Sequence, residues 1–142
     1  MQNTATYVNA ATRADRATVA PARWMLVTGR VLTGLVAVFL LMDGALRVIG
    51  FAPYVEGTVQ AGYAESLAPG IGLALLVPTL LYLVPRTSIL GAILLTGYLG
   101  GATATNLRVG MPIAFPLAFG ILVWAALYLR DGRLRGMIPV RR

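Results

Sequence analysis

Four polar side chains near the ends of two apolar stretches are the best candidates for chemistry. Asp43 and Arg47 are four residues apart, so a helix would place them on one face. Asn106 and Arg108 close a later apolar stretch. A carboxylate that orients guanidinium donors can hold the polar head of a lipophilic ligand. The pattern therefore indicates a small polar pocket in which Arg47 or Arg108 donates hydrogen bonds and Asp43 orients them.

The same residues have a structural interpretation, which we favour. Asp43 could pair with Arg47 or Arg108 and fasten helices together, while the arginines extend towards lipid headgroups. Tyr98, near the middle of the later stretch, is open to the same two interpretations. Its hydroxyl could donate a hydrogen bond to a quinone, or its ring could stack on one. A hydroxyl at that depth also finds hydrogen-bond partners on neighbouring helices.

The residue inventory excludes much of ordinary catalysis. The chain has no histidine and no cysteine, so it cannot form an imidazole base, a thiol nucleophile or a His- or Cys-ligated metal site. Motifs for nucleotide phosphate loops, metal clusters and nucleophilic triads are also absent. We expect no catalytic residue and no metal ligand.

Composition assigns the chain to the membrane proteins. Hydrophobic residues make up 58% of its 142 residues and charged residues 12%. Four apolar stretches of about the length of a membrane span occupy residues 24–49, 66–85, 87–107 and 111–129. Because the later connections are short, consecutive stretches must be antiparallel. We predict an all-α, integral membrane four-helix bundle with up-down-up-down topology.

The chain as a whole divides into three segments. Residues 1–22 are polar and predicted to be a mobile tail, residues 23–130 form the transmembrane domain, and residues 131–142 form a basic cytoplasmic tail. Residues 53–61 fit either a short amphipathic helix on the membrane surface or an irregular loop.

Two sets of small residues predict close helix packing. Four-residue spacing of small side chains lets a neighbouring helix approach backbone to backbone. The sets are Gly97, Gly100, Gly101 and Ala104 in the third stretch, and Gly29, Thr33 and Ala37 in the first. We expect the second set to be a partner for the first.

The positive charge behind the net charge of +7 comes entirely from arginine, and the positions of the arginines indicate the membrane topology. Four crossings would place both termini on one side, together with nine of the twelve arginines, and the positive-inside rule makes that side cytoplasmic. The arginine-rich C-terminus suits anionic lipid headgroups, so we expect a bilayer and not nucleic acid as the partner of this charge.

The runs LYLVPRTSILGAILLTGYLGGATATNLRVG and LVWAALYLRDGRLR resemble the DoxX-like family of small four-helix membrane proteins. The resemblance covers about residues 30–135. It implies a bundle in a bacterial-type plasma membrane, linked to quinone or acting as an accessory subunit beside redox enzymes. Members often carry His where this chain has Asn106, and Asn106 can only form hydrogen bonds.

These features lead to two main functional hypotheses. The first is a non-catalytic accessory or scaffold subunit, whose glycine-lined faces pack against another copy of itself or against a larger membrane complex. The alternative is a protein that binds quinone or another lipophile at the polar cluster, as part of an oxidoreductase. A proton-coupled transporter is the weakest hypothesis, because Asp43 is the one carboxylate within a span.

Overall fold

The structure is a computed structural model that describes residues 23–137, with side chains described for residues 23–135. The predicted tail at 1–22 and the end of the basic tail lie outside these residues. The helices are α1 (Arg23–Val48), α2 (Ala52–Gln60), α3 (Ala68–Leu83), α4 (Ser88–Arg108), α5 (Ala114–Arg130) and α6 (Gly132–Met137), with a 3-10 turn at Glu65–Leu67 before α3. No strand occurs in the described range. The prediction of an all-α chain is confirmed.

Three helices end in the same hydrogen-bonded turn, and each turn requires a glycine. Gly50, Gly62 and Gly110 follow α1, α2 and α4 with φ angles of 72°, 86° and 72°. After α1, the N–H of Phe51 donates to the carbonyl of Leu46 at 2.9 Å, and the N–H of Gly50 donates to the carbonyl of Arg47 at 3.2 Å. These bonds satisfy carbonyl groups that a helix end otherwise leaves free, which matters most next to hydrocarbon.

The four long helices pack in a closed ring. The first helix, α1, contacts α3 and α5, and α4 contacts the same two helices, so α1 and α4 lie on opposite corners. Contacts occur at both ends of the ring. Gly29 lies beside Leu129 and Gly44 lies beside Gly72. We call these the Arg130 end and the Arg47 end, after the arginines that close α5 and α1.

The outside of the ring is apolar. Leu35 and Val38 on α1 are 65% and 67% exposed, and large apolar side chains are exposed on α3, α4 and α5 as well. In water such a surface would be a liability, whereas hydrocarbon solvates it. Three segments are long and apolar enough to cross a membrane, namely Arg23–Val48, Glu65–Leu83 and Ser88–Arg108, and α5 is a shorter apolar helix of 17 residues.

The expected pairing between the two sets of small residues is wrong. Gly29, Thr33 and Ala37 are buried, but Gly29 faces α5, and the backbones of α1 and α4 lie too far apart for the two sets to pack together. At Gly97, Gly100 and Gly101 a Cβ atom would meet nothing within 4 Å. No helix of the described chain therefore covers these glycines. Ala104 on the same helix is also exposed.

Other glycines do bring helices together, and Gly44 and Gly72 do so between α1 and α3. A Cβ at Gly72 would lie 2.6 Å from the carbonyl oxygen of Gly44 and 2.9 Å from the Cβ of Arg47. The backbones of α1 and α3 thus approach too closely for any side chain at position 72. This contact fixes the distance between the two helices at the Arg47 end.

Replacing Gly72 with alanine tests this contact. We expect Gly72→Ala to lower the free energy of unfolding by about 1–3 kcal/mol, because the added methyl group must push the backbone of α1 away. Gly70→Ala, two residues earlier on the same helix, meets nothing within 4 Å and should be neutral or stabilising. Unfolding in detergent, followed by circular dichroism, measures both. Equal losses for the two variants would contradict the close approach.

Candidate functional site

The predicted pair of Asp43 and Arg47 forms a forked ion pair at the end of α1. The Nε of Arg47 donates to Oδ2 of Asp43 at 3.1 Å, and Nη2 donates to Oδ1 at 3.4 Å. Both side chains are mostly buried, with Arg47 20% and Asp43 17% exposed. Because both residues belong to α1, the ion pair does not itself join two of the long helices. It orients the guanidinium group of Arg47.

The other side of that guanidinium group holds helix α2. Its Nη1 donates to the hydroxyl of Thr58 at 2.8 Å and to the carbonyl of Tyr54 at 3.4 Å. Thr58 is buried, and the guanidinium carbon lies 5.8 Å from the centre of the Tyr54 ring. Arg47 therefore anchors α2, the segment for which the sequence left a surface helix and a loop open, across the Arg47 end of the ring.

A cavity of about 450 Å³ lies between α2 and α4. Arg47 and Thr58 line it from one side, and α4 contributes Tyr98 and Asn106 from the other. Gly97 and Gly101 form part of the α4 wall, where the absence of side chains leaves the space open. The exposed glycines thus provide room beside α2, where sequence analysis expected a helix contact.

Three polar groups in this cavity remain available to a ligand. The hydroxyl of Tyr98 makes no hydrogen bond to any described residue. Asn106 donates its Nδ2 to the carbonyl of Pro112 at 2.9 Å, which leaves its side-chain oxygen as a free acceptor. Arg47 uses four of its five N–H groups in the bonds above, so one N–H of Nη2 remains. The site can donate and accept hydrogen bonds at once.

Arg108 does not join the other predicted site residues. Its side chain is exposed, and its Nη2 lies near Gly62, where it would be 3.2 Å from an added Cβ. Glu56 and Glu65 line a separate surface cavity beside Gly50. The structure therefore brings together Asp43, Arg47, Tyr98 and Asn106 and leaves Arg108 outside.

Two site residues were missed by sequence analysis. Tyr63 and Thr105 line the cavity, and their hydroxyl oxygens are 3.0 Å apart, which joins the α2–α3 connection to α4. Thr105 follows Gly97 and Gly101 at four-residue intervals, so the helical period already placed it on the cavity face. Tyr63 had no such signal, because its position depends on how the connection folds over α4.

Apolar helices in a ring, with a hydrogen-bonding cavity at one end, define a small helical membrane protein. The chain matches the DoxX-like family over residues 31–126, and it belongs to that family. The matched region includes Arg47, Tyr98 and Asn106. Comparisons with curated proteins and with solved structures found no match.

Removing the guanidinium group of Arg47 tests its role as the anchor of α2. We expect Arg47→Met to speed amide hydrogen exchange in Ala52–Gln60 by about tenfold or more, because hydrogen bonds to a charged group contribute about 1.5–3 kcal/mol. Asp43→Asn should have a smaller effect, since Arg47 keeps its bond to Thr58.

The matched control is Arg108→Met, which removes an exposed arginine at the same end of the structure. It should leave exchange in Ala52–Gln60 unchanged. The anchor would be refuted if α2 exchanged at the same rate in the Arg47→Met and Arg108→Met proteins.

Proposed function

We propose that this protein binds the polar head of a lipophilic molecule, such as a quinone, in the cavity between α2 and α4. The observation that carries the proposal is the hydroxyl of Tyr98, which has no partner among the described residues and lies beside Asn106 and Arg47 in one cavity. Its volume of about 450 Å³ falls within the range of small-molecule sites. A quinone carbonyl would accept a hydrogen bond from Tyr98 or Arg47.

Entry from the membrane also supports this proposal. Gly97 and Gly101 are exposed on the outer surface of α4, so a molecule dissolved in hydrocarbon reaches the cavity without opening the ring. Apolar side chains such as Ile71 and Met111 line the same space and suit the ring or the tail of a lipophile. The role is binding, because the groups available are those that position a head group.

An accessory subunit of a membrane complex is the second candidate, and a different surface favours it. A groove of about 600 Å³ runs between α4 and α5, with Gly100 and Gly120 in its wall. A Cβ at either glycine would meet nothing within 4 Å. A helix of a second copy, or of a larger complex such as a membrane redox complex, would find in this groove the small residues that close packing requires.

For either role we propose that the chain crosses a bacterial-type plasma membrane four times, up-down-up-down, with both termini in the cytoplasm. The contacts of Gly29 with Leu129 and of Gly44 with Gly72, at opposite ends of the ring, support antiparallel neighbours. Helix α5 has 17 residues, within the range of about 17–25 for a membrane span. The arginines at the Arg130 end support a cytoplasmic location of that end.

Two adjacent glycines on α4 separate the two candidate functions. Gly101→Leu should fill the cavity and weaken quinone binding by about tenfold to a hundredfold, because the ligand must displace a side chain. Gly100→Leu should leave quinone binding unchanged, since Gly100 lines the other groove. Quinone retained by purified protein after gel filtration, quantified by chromatography, measures this effect.

Both variants are expected to fold, because leucine favours a helix more than glycine does and neither site has a neighbour within 4 Å. If only Gly100→Leu changes the protein, by releasing a partner or dissociating an oligomer, the subunit role is favoured. Equal quinone binding by both variants and the unaltered protein would rule out the cavity as the site.

Tyr98→Phe tests the chemistry of the site without changing its shape. Loss of one hydrogen bond should weaken quinone binding about fivefold. The melting temperature should not fall, because the hydroxyl has no partner among the described residues. Titration of the purified variant with a short-chain quinone measures the affinity. A variant that binds as tightly as the unaltered protein would show that Tyr98 does not touch the ligand.

A further inference from the structure

A second polar cavity, of about 400 Å³, lies at the Arg130 end of the ring. Its walls come from α1, the α3–α4 connection, the first residue of α4, the end of α5 and α6. The charged and polar residues that line it are Arg30, Arg86, Arg130, Arg133, Ser88 and Asp131. The cavity is thus built by arginines that are far apart in the sequence.

The charge around this cavity is not balanced by the described protein. Four guanidinium groups face one carboxylate, an excess of three positive charges. Asp131 accepts the backbone N–H of Arg133 at 2.9 Å and forms no ion pair with an arginine in the described range, where the one salt bridge is Asp43–Arg47. Grouping like charges costs energy, and the low dielectric of a membrane increases the cost. An anion in the cavity would remove that cost.

The donors in the cavity are available and partly fixed in place. Arg130 donates from Nη2 to the carbonyl of Tyr82 at 2.8 Å, and its guanidinium carbon lies 4.8 Å from the centre of the Tyr82 aromatic ring. These contacts with α3 fix the position of Arg130. The side chains of Arg30, Arg86 and Arg133 make no hydrogen bond to any described residue. Guanidinium groups bind phosphate oxygens through paired N–H donors, which makes phosphate the anion that suits this geometry.

The surroundings of Arg30 point to a phosphate attached to a lipid. Arg30 lies within the apolar sequence of α1, and its neighbours Val27 and Val31 are 60% and 57% exposed. In a bilayer, a guanidinium group at this position would lie where headgroups meet acyl chains, and the exposed valines would contact those chains. Basic pockets between membrane helices on the cytoplasmic side bind anionic phospholipids. We propose that the cavity at the Arg130 end binds the phosphate group of an anionic phospholipid.

The test compares lipid binding by the unaltered protein and its variants with native mass spectrometry in mild detergent. The probe is cardiolipin, with phosphatidylcholine as the neutral lipid. The triple variant Arg30→Gln, Arg86→Gln and Arg133→Gln should bind cardiolipin about a hundredfold more weakly, because each arginine near the surface accounts for about a fivefold change. Phosphatidylcholine binding should be the same for all proteins.

Arg23→Gln is the matched control, since Arg23 is an exposed arginine of α1 outside the cavity. It should leave cardiolipin binding nearly unchanged, because Arg23 does not line the cavity. If Arg86→Gln, a single substitution in the cavity, weakens binding no more than Arg23→Gln does, the positive charge acts diffusely and the site is refuted. If the triple variant does not fold, Arg86→Gln alone, on the exposed connection, should still lower affinity about fivefold, and no change would refute the site.

Inorganic phosphate distinguishes the lipid from a soluble source of the same group. In the proposed site, millimolar phosphate should neither displace cardiolipin nor raise the melting temperature of the protein in neutral-lipid nanodiscs, whereas cardiolipin should raise it. Stabilisation by phosphate alone, lost in the triple variant, would overturn the lipid assignment.

Discussion

The geometry of the candidate site depends on the guanidinium group of Arg47. One side of this group is held by Asp43 on the same helix, and the other holds Thr58 and the backbone of α2. Without these hydrogen bonds little would hold α2 across the ring of helices, because its side chains are largely exposed. With them, α2 faces the glycines of α4, and the space between them becomes a cavity with polar walls. A buried charge is expensive, and here four hydrogen bonds to Asp43, Thr58 and the backbone of α2 make it a structural anchor.

Glycine performs two opposite tasks in this fold. At Gly44 and Gly72 the missing side chain permits backbone contact, so these residues set the distance between α1 and α3. At Gly97, Gly100 and Gly101 it leaves space on the outer faces of α4. Both tasks follow from the absence of a Cβ, and only the position of the neighbouring helix decides between them. In hydrocarbon the weak helix propensity of glycine is tolerated, because unbonded backbone groups would cost more.

The two ends of the helix ring differ in their chemistry. At the Arg47 end the carboxylate of Asp43 neutralises the charge of Arg47. The cavity at this end presents a phenol, an amide and a single guanidinium N–H. At the Arg130 end four arginines meet one aspartate, and Arg130 is fixed against Tyr82. The first end suits the neutral head of a lipophile and the second an anion. This difference parallels a membrane protein's two surfaces, which meet different electrical environments.

The class of this protein, its family and its contacts within single helices could be predicted from the sequence. Its apolar stretches indicated an all-helical membrane protein, the DoxX-like resemblance is confirmed, and four-residue spacing placed Asp43 beside Arg47. These features are local, because helical periodicity alone relates residues three or four apart. Only the fold shows that Arg108 lies outside the site, that Tyr63 reaches Thr105, that the backbones of α1 and α4 are not neighbours, and that four distant arginines share a cavity. Such relations depend on which helix faces of a closed ring turn towards each other, and apolar surfaces that face either lipid or protein look alike in a sequence.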